Sequence, residues 1–580
     1  MATFYLGLSM AGTVSAGTFT GGTLVELNDW LLNFQKAKEN GLTLKAIKDV
    51  GTIKKGDYIN FTKEEIPQHD VKIKVLTGAS GGGVSAALFL FGLTQGNLEQ
   101  YLRDVWTDFD VKEMLDTDDL TTNKIFSLLN VKPLNNMAEK LRNDKWANEN
   151  HAKNLSYLDD EIEVLLTLAS LEGIPFNTVP RNSGKTSYGV HKTHLDYIRF
   201  KFSKHDVITN KYPEPYAYNL LFRPNFKFKD DNNWAKLIDS CLATAAFPFG
   251  FKPRTINRFR KEYNGKLFYL NYSNPSNKTD FSKLSPAWLP GNDDDDFDME
   301  YVDGGTFNRE PHDLGRAALL RSLDKQSTGI DNEGIKTDAA IILIDPFPSN
   351  TDNMLKPGEK ITEIPDIFGL VGNITEALMN QGRFRPDWIE KALNEKYYSR
   401  YLISPTRKDS NETVQKPSLA GEPLGAFAGF IDKKFREHDY RLGHYNTYGF
   451  LGFSFMLPIE NEVVNYCQIK DKLLLLKYEA VGWYDAQSKH CQIIPRCIEP
   501  NIINSLQKPV WPSISQADWS ELESMAMDRA KEILYTLIDL NVLTDGIIQK
   551  SAWTFKVKGK VQEALDKIKT KMKNDYKLLR

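Results

Sequence analysis

Residues 72–84 read KIKVLTGASGGGV, and this stretch decides the fold. A β-branched, partly alternating run leads into Gly-x-Ser-x-Gly, and an apolar run of helical character follows over residues 84–93. Strand, tight turn and helix is the context that makes a serine a nucleophile, because the turn pushes the Ser80 hydroxyl clear of the sheet. Gly78 and Gly82 let the helix crowd the strand in such an elbow. The helix N-terminus behind the serine favours negative charge that develops there.

A glycine-rich phosphate loop or a plain strand–helix turn is the alternative, since a five-residue pattern also arises by chance. A second strand–loop–helix unit precedes it: residues 4–17 predict a buried strand and a glycine-rich turn, and a helix follows over about residues 19–34. In a parallel sheet both loops open at the same edge, where open α/β sheets place their sites. Backbone N–H groups of Gly12 and Thr13 are therefore the predicted oxyanion donors for Ser80. A nucleotide site is disfavoured here, because the loop has neither G-x-G-x-x-G nor a Walker lysine.

The composition indicates a globular cytoplasmic protein. The 580 residues are 41% hydrophobic and 26% charged, and the net charge of −3 argues against nucleic-acid binding. Four cysteines are too few and too unevenly spaced for a disulfide framework, so we expect reduced thiols. His490, Cys491 and Cys497 fit no zinc spacing, and we expect neither a metal nor a cofactor.

The chain is not expected to enter or cross a membrane by itself. Residues 1–27 are small and apolar but lack the charged start of a signal peptide, since the first basic residue is Lys36. No stretch reaches the roughly 18 consecutive apolar residues that span a bilayer. Any membrane contact must then be peripheral.

Between the loops and the C-terminal half, the chain alternates in character. Residues 96–171 have mostly helical spacing and predict an inserted cap, and residues 191–222 return to strand character. The helix expected near residues 234–244 ends in the block ATAAFPFGFKP, which suggests a rigid loop wedged against something close. Residues 254–300 look like a loop insertion, whose run of aspartates is better explained by solvation than by calcium, because EF-hand spacing is absent.

An aspartate follows this insertion in YVDGGTFNREP, residues 301–311. Asp303 stands at a predicted strand end and is held by a double-glycine turn, which aims a carboxylate well. Taken alone, an ordinary Asp-Gly turn explains the same residues.

Taken together and in order, these stretches resemble the patatin-like phospholipases. That family combines a glycine-rich oxyanion loop, a Gly-x-Ser-x-Gly elbow, an Ala-x-x-Ala-x-Pro block and an Asp-Gly-Gly or Asp-Gly-Ala turn. The matching stretches here are residues 12–17, 78–82, 243–248 and 303–305.

The resemblance implies an α/β protein with a three-layer α/β/α core and a mainly parallel sheet over residues 1–350. A helical cap insertion at 96–171, a loop insertion at 254–300 and an α+β extension at 351–580 complete the predicted domains. The resemblance also implies a Ser80–Asp303 dyad in which the carboxylate accepts the serine proton directly and later activates water.

One departure from the family lies in the first loop, where Thr13, Val14 and Ala16 replace two glycines and a basic residue. The backbone donors survive this change, but the basic side chain is lost. A divergent bacterial branch of the family has a loop similar to this one, so we expect a bacterial protein. Extensions in that branch also resemble residues 429–451, which we expect to pack against the catalytic core rather than to form a second site.

The leading hypothesis is a lipid acyl hydrolase of the phospholipase A type, which acts on phospholipid at a membrane surface. Three alternatives stay open: a regulated antiviral or toxin-type lipase, a catalytically silent binding scaffold, and an α/β-hydrolase triad using Asp345 and His438. Lipid headgroup, acyl position, substrate-binding residues, trigger and oligomeric or regulatory partners are not determined by the sequence. A lysine-rich helix predicted over residues 556–580 is explained better by solvent exposure than by membrane binding.

Overall fold

A mainly parallel β-sheet forms the centre of the molecule. The computed structural model describes residues 2–120, 124–145, 151–177, 190–205, 216–222, 226–264, 286–288, 290–323, 334–348, 397–498, 507–539 and 557–580, with the single positions 208, 266, 377 and 553. The strands are β1 (Thr3–Met10), β2 (Leu42–Lys45), β3 (Tyr58–Phe61), β4 (Asp70–Gly78), β5 (Leu158–Asn177), β6 (Val190–Ser203), β7 (Tyr218–Leu220), β8 (Arg254–Phe259), β9 (Asp296–Asp303), β10 (Ala339–Ile344), β11 (Arg400–Ile403), β12 (Arg407–Lys408), β13 (Val414–Gln415), β14 (Met456–Pro458), β15 (Tyr484–Asp485) and β16 (His490–Gln492).

Helices cover both faces of this sheet and make up much of the C-terminal half. They are α1 (Gly17–Asn40), α2 (Gly81–Gln95), α3 (Val105–Thr107), α4 (Val111–Leu115), α5 (Lys132–Asn143), α6 (His151–Asn154), α7 (Asn232–Thr244), α8 (His312–Ser322), α9 (Ala428–Ile431), α10 (Lys433–Phe453), α11 (Lys472–Val481), α12 (Gln516–Asp539) and α13 (Lys558–Thr570).

Across the described part of the chain, the central sheet has the strand order β11, β10, β1, β4, β5, β6, β7, and β9 pairs with β5 and β8. All pairs from β11 to β5 are parallel, whereas β6 and β9 run antiparallel to β5. Neighbouring residues point to opposite faces: Val75 packs with α8, while Leu76 belongs to the larger core with α1 and α2. The predicted three-layer α/β/α fold is confirmed.

The two glycine-rich loops lie side by side, as predicted. In the parallel pair β1 and β4, Met10 stands opposite Gly78, and the Ala79 N–H donates to the Met10 carbonyl at 3.2 Å. The close fit explains the glycines of the elbow. A Cβ on Gly82 would lie 2.3 Å from the Ala11 carbonyl oxygen. Any larger residue there would push the two loops apart.

The helices predicted for the cap at 96–171 are present only in the first part of that range, and the cap itself stays a prediction. Short helices follow Gln100, but residues 158–171 belong to β5, a buried strand of the central sheet. The periodicity of Leu158, Ile162 and Leu165 suits a helix, yet a strand covered on both faces is also apolar at successive positions. Trp146, which falls within the predicted cap range, lies outside the described residues.

The predicted loop insertion at 254–300 is also wrong at both ends. Residues 254–259 and 296–303 form the antiparallel pair β8 and β9. The strand β9 is what brings Asp303 to the sheet. Polar residues recur at alternate, exposed positions of β9. In the sequence they made this strand look like a solvated loop.

The described residues of the C-terminal half pack directly on this core. This agrees with the packing that we expected for residues 429–451. Strand β11 extends the central sheet beside β10, and α10 lies along α1. The boundary at residue 350 falls on residues outside those described and stays a prediction. No helix in the described ranges combines the length and apolar character needed to cross a membrane.

Candidate active site

Ser80 occupies a strained turn between β4 and α2. Its φ of 54° and ψ of −133° lie in a region that non-glycine residues rarely adopt, at a cost of about 1–3 kcal/mol. The strain is fixed by the close packing around it, since a Cβ on Gly78 would lie 2.5 Å from the Gly82 carbonyl oxygen. A strained serine at the strand–helix junction is the geometry of a nucleophile elbow.

Asp303 lies in direct contact with this serine. The Ser80 hydroxyl donates to Asp303 Oδ2 at 2.5 Å, although the two residues are 223 positions apart in the chain. Strand β5 joins them, because Leu166 pairs with Gly78 and Leu168 pairs with Asp303. The sheet therefore brings together the two residues that the family resemblance implied as a pair.

Burial alters the acidity of the Asp303 carboxyl. Loss of water raises its pKa from 3.8 to about 6, while hydrogen bonds from the Ser80 hydroxyl and the Gly305 N–H and the charge of Arg309 oppose the rise. The Gly305 N–H donates to Oδ1 at 2.7 Å, which leaves Oδ2 directed at the serine. A carboxylate with this pKa can take up a proton near neutral pH.

The small-residue block 243–248 holds both members of the pair in place. The Thr244 hydroxyl oxygen accepts the Ser80 N–H at 2.9 Å, and the Ala246 carbonyl accepts the Asp303 N–H at 2.9 Å. A Cβ on Gly83 would lie 2.8 Å from Thr244 Cγ2, so small side chains are needed here. The sequence predicted a rigid loop wedged against something close, but it did not identify Ser80 and Asp303 as the residues that this loop contacts.

The predicted oxyanion donors differ in their availability. The Gly12 N–H donates to the Arg309 carbonyl at 2.9 Å, which argues against its predicted role in this conformation. Among the described residues, no acceptor is found for the N–H groups of Thr13 and Gly81. Thr13 lies against the elbow, since a Cβ on Gly81 would stand 2.2 Å from its Oγ1.

Arg309 supplies a cation beside the first loop, which has no basic residue of its own. Its Nε donates to the Gly12 carbonyl at 3.2 Å, and its charge lowers the pKa of Asp303. The sequence reasoning missed this residue, although it lies only six positions after Asp303 in the quoted Asp-Gly-Gly stretch.

An apolar pocket opens at the dyad. It encloses about 510 Å³ of space, a figure that includes open solvent at its mouth. Its walls come from the cap region, the block after α7 and the C-terminal half; apart from Ser80, Gly81 and Asp303, the lining residues are Val14, Val84, Trp106, Phe109, Met114, Leu134, Met137, Ala245, Phe247, Phe251, Phe427 and Phe430. Such a pocket suits a flexible hydrocarbon chain.

The triad alternative receives no support from the geometry. His438 Nδ1 contacts Asp439 Oδ1 at 2.8 Å, and its ring packs edge-on against Trp511. Asp345 Oδ1 accepts the Phe347 N–H at 2.9 Å. Among the described residues that line the pocket, none is a histidine. Within the same ranges, no three His, Cys, Asp or Glu side chains group together as a metal site requires.

Comparison with known proteins gives two findings. Residues 56–314 match the family model described as patatin-like phospholipase. The uncharacterized protein y4iI of Sinorhizobium fredii is 26% identical over 494 aligned residues, which cover 77% of this chain and 64% of that protein. The chain thus spans less than two thirds of the length of this curated relative.

Proposed function

The chain carries a patatin-like phospholipase domain, and on that premise we propose that it is a lipid acyl hydrolase of the phospholipase A type. The observation that carries the proposal is the 2.5 Å hydrogen bond from Ser80 to a buried carboxylate at an apolar pocket. This pairing supports an active enzyme rather than a silent scaffold. A scaffold has no need of a strained serine aimed at a desolvated acid.

The proposed reaction proceeds through an acyl-enzyme. Ser80 Oγ attacks the ester carbonyl while its proton passes to Asp303 Oδ2. The tetrahedral oxyanion then accepts hydrogen bonds from the N–H groups of Thr13 and Gly81. When the ester bond breaks, the leaving alcohol takes the proton from Asp303. Water then attacks the acyl-enzyme, gives its proton to Asp303, and the proton returns to Ser80 as the fatty acid leaves.

Fatty-acid release from phospholipid vesicles tests the proposal. Wild-type protein is incubated with vesicles that differ only in headgroup, and with a soluble short-chain ester as a substrate that needs no membrane. Release from at least one of these, lost in the Ser80→Ala variant, is the expected outcome. Equal background release by both proteins, at equal folded fraction, would contradict it.

Activity should depend on pH through Asp303. The carboxylate must be ionised to accept the serine proton, and its pKa is raised to about 6. We therefore expect kcat/KM on the soluble ester to rise about tenfold per pH unit below pH 6 and to level off above it. A profile measured from pH 4.5 to 8 checks this. A rate that stays flat down to pH 4.5 would show that Asp303 is not the base.

We also propose that the protein contacts membranes through a mouth patch, defined as Phe126, Leu128 and Phe249. Their exposed fractions of 52%, 53% and 63% are high for large apolar side chains. Phe249 stands between the pocket-lining residues Phe247 and Phe251, and its carbonyl accepts the Leu128 N–H at 2.8 Å. The patch therefore borders the pocket that would receive the acyl chain.

Charge near the mouth patch favours a lipid surface. Lys252 Nζ lies 4.6 Å from the centre of the Phe126 ring, so a cation accompanies the apolar group as in interfacial anchors. Helix α12 steadies this region, because Arg529 Nε donates to the Leu128 carbonyl at 2.6 Å and its guanidinium pairs with Asp119.

Replacing Phe249 by serine should weaken vesicle binding by about 30-fold, since moving a phenyl ring into an apolar phase is worth about 2 kcal/mol. Co-sedimentation with vesicles measures the binding. The matched control is Phe453→Ser at the end of α10, where a phenylalanine is 75% exposed. Turnover of the soluble ester should stay unchanged in both. Equal vesicle binding by the two variants would contradict the role of the mouth patch.

A further inference from the structure

The closing segment, defined as residues 418–431, lies outside the matched family region 56–314 yet reaches the candidate active site. Helix α10 anchors it with two buried charged side chains. Asp439 accepts the N–H groups of Ala420 and Gly421, both at 2.8 Å. Arg436 donates to the carbonyls of Gly429, at 2.7 Å, and Phe430, at 3.1 Å. Buried charged side chains that are hydrogen-bonded to backbone groups hold the segment in one position.

A strained turn aims this segment at the first glycine-rich loop. Leu424, Gly425 and Ala426 all have positive φ, at 62°, 65° and 74°, which is costly for the two non-glycine residues. The Ala426 carbonyl accepts both the Ser15 hydroxyl, at 2.5 Å, and the Ser15 N–H, at 3.2 Å. The turn therefore holds the loop that carries Thr13.

The closing segment also contributes two rings to the pocket wall. Phe427 packs against Phe247 at 5.5 Å between ring centres, and Phe430 packs against Phe109 at 6.5 Å. Phe109 in turn lies 6.1 Å from Trp106. These five rings form a continuous wall that begins at the elbow, where a Cβ on Gly81 would stand 2.9 Å from the Trp106 ring.

We propose that the closing segment determines which acyl chains the pocket accepts and positions the first loop for the reaction. Phe427 and Phe430 limit the space open to the chain, and the Ser15–Ala426 contact ties the oxyanion loop to the same segment. The inference rests on the proposed lipid acyl hydrolase function, but its first effect is on binding and can be measured without turnover.

Chain-length preference tests the pocket role. Fatty acids of 8 to 18 carbons are titrated into the Ser80→Ala protein by calorimetry, and alkyl fluorophosphonates of matching lengths are used to label the protein with Ser80 intact. Phe430→Trp should lower the ratio of long-chain to short-chain affinity about tenfold, because each excluded methylene costs about fourfold. Phe427→Ala should raise that ratio. Phe453→Ala serves as the control and should leave it unchanged.

The outcomes separate this inference from the function it rests on. The pocket role would be overturned if the ratio of long-chain to short-chain affinity in folded Phe427→Ala protein stayed within twofold of the wild-type ratio. This holds for any result obtained with Phe430→Trp. Length-dependent binding without any fluorophosphonate labelling would overturn the proposed hydrolase and leave the wall assignment standing. Absence of fatty-acid binding at every length would overturn the wall assignment.

A glycine pair tests the positioning role. A Cβ on Gly429 would lie 2.4 Å from Ser15 Oγ, so Gly429→Ala should displace the first loop and slow labelling of Ser80 about tenfold at every chain length. Gly449→Ala on α10 adds its Cβ where nothing lies within 4 Å and should label normally. Ser15→Gly removes this clash and keeps the Ser15 N–H bond to the Ala426 carbonyl, so it should restore part of the rate lost in Gly429→Ala, a rescue that general destabilisation does not produce. Equal labelling of the two alanine variants would overturn the positioning role.

Discussion

Replacing Ser80 by alanine is expected to abolish ester hydrolysis, and replacing Asp303 by asparagine to slow it on the order of 10⁴-fold. The serine supplies the nucleophile and the aspartate, 2.5 Å away, accepts its proton; among the described residues that line the pocket, neither step has a substitute. Both variants should fold, because alanine and asparagine fit the space of the native side chains. Steady-state hydrolysis of a soluble ester, with folding checked by circular dichroism, measures the losses.

Two control variants separate this dyad from the triad alternative. His438→Gln and Asp345→Asn alter the two residues that an α/β-hydrolase arrangement would require. They should keep activity within a few-fold of wild type, because neither belongs to the pocket lining. Loss of activity in folded His438→Gln protein comparable to that of Ser80→Ala would contradict the dyad.

The second large effect concerns the stability of the protein, which depends on how the N-terminal and C-terminal halves pack against each other. Helices α1 and α10 cross with their backbones in contact, since a Cβ on Gly22 would lie 2.0 Å from the Tyr440 carbonyl oxygen. Gly22→Ala is therefore expected to cost about 3 kcal/mol of unfolding free energy through overpacking. Thermal or denaturant unfolding of the full chain measures this loss.

Gly449→Ala provides the matched control for Gly22→Ala. It makes the same chemical change within α10, but its Cβ meets nothing within 4 Å. Alanine is the better helix former, so this variant should be neutral or stabilising by up to about 1 kcal/mol. If Gly22→Ala matched it in stability, residues 433–453 would not pack on α1 as described.

The elbow and the acid could be predicted from the sequence because their signals are local. Gly78 to Gly82 combines a strand, a tight turn and a helix within a short stretch, and Asp303 stands in a glycine turn that aims it. Their contact was implied only by the family resemblance. The sheet pairing through β5 accounts for it.

The errors arose where tertiary packing overrides local pattern. Residues 158–166 read as a helix because Leu158, Ile162 and Leu165 fall at helical spacing with acidic residues between them, although the stretch is part of β5. Gly12 looked like a free donor because its partner, the Arg309 carbonyl, is nearly 300 residues away. The sequence near these residues indicates neither the strand nor this hydrogen bond.

The pocket wall was missed for the same reason. Phe427 precedes the block 429–451 and Phe430 lies within it, but no chemistry was predicted for that block, and only the fold brings both rings to Ser80. Thr244 did belong to a quoted motif, but nothing in that motif shows that its hydroxyl oxygen accepts the Ser80 N–H. Residues that act through long-range contacts can be identified only from the structure.

Labelling with a serine-reactive fluorophosphonate, followed by peptide mapping, tests the central claim most directly. We expect one label to attach to Ser80 of the wild-type protein at pH 8 and Asp303→Asn to slow this labelling by at least about 100-fold. Unlabelled Ser80 in folded wild-type protein, or equal labelling of the wild type and Asp303→Asn, would contradict it.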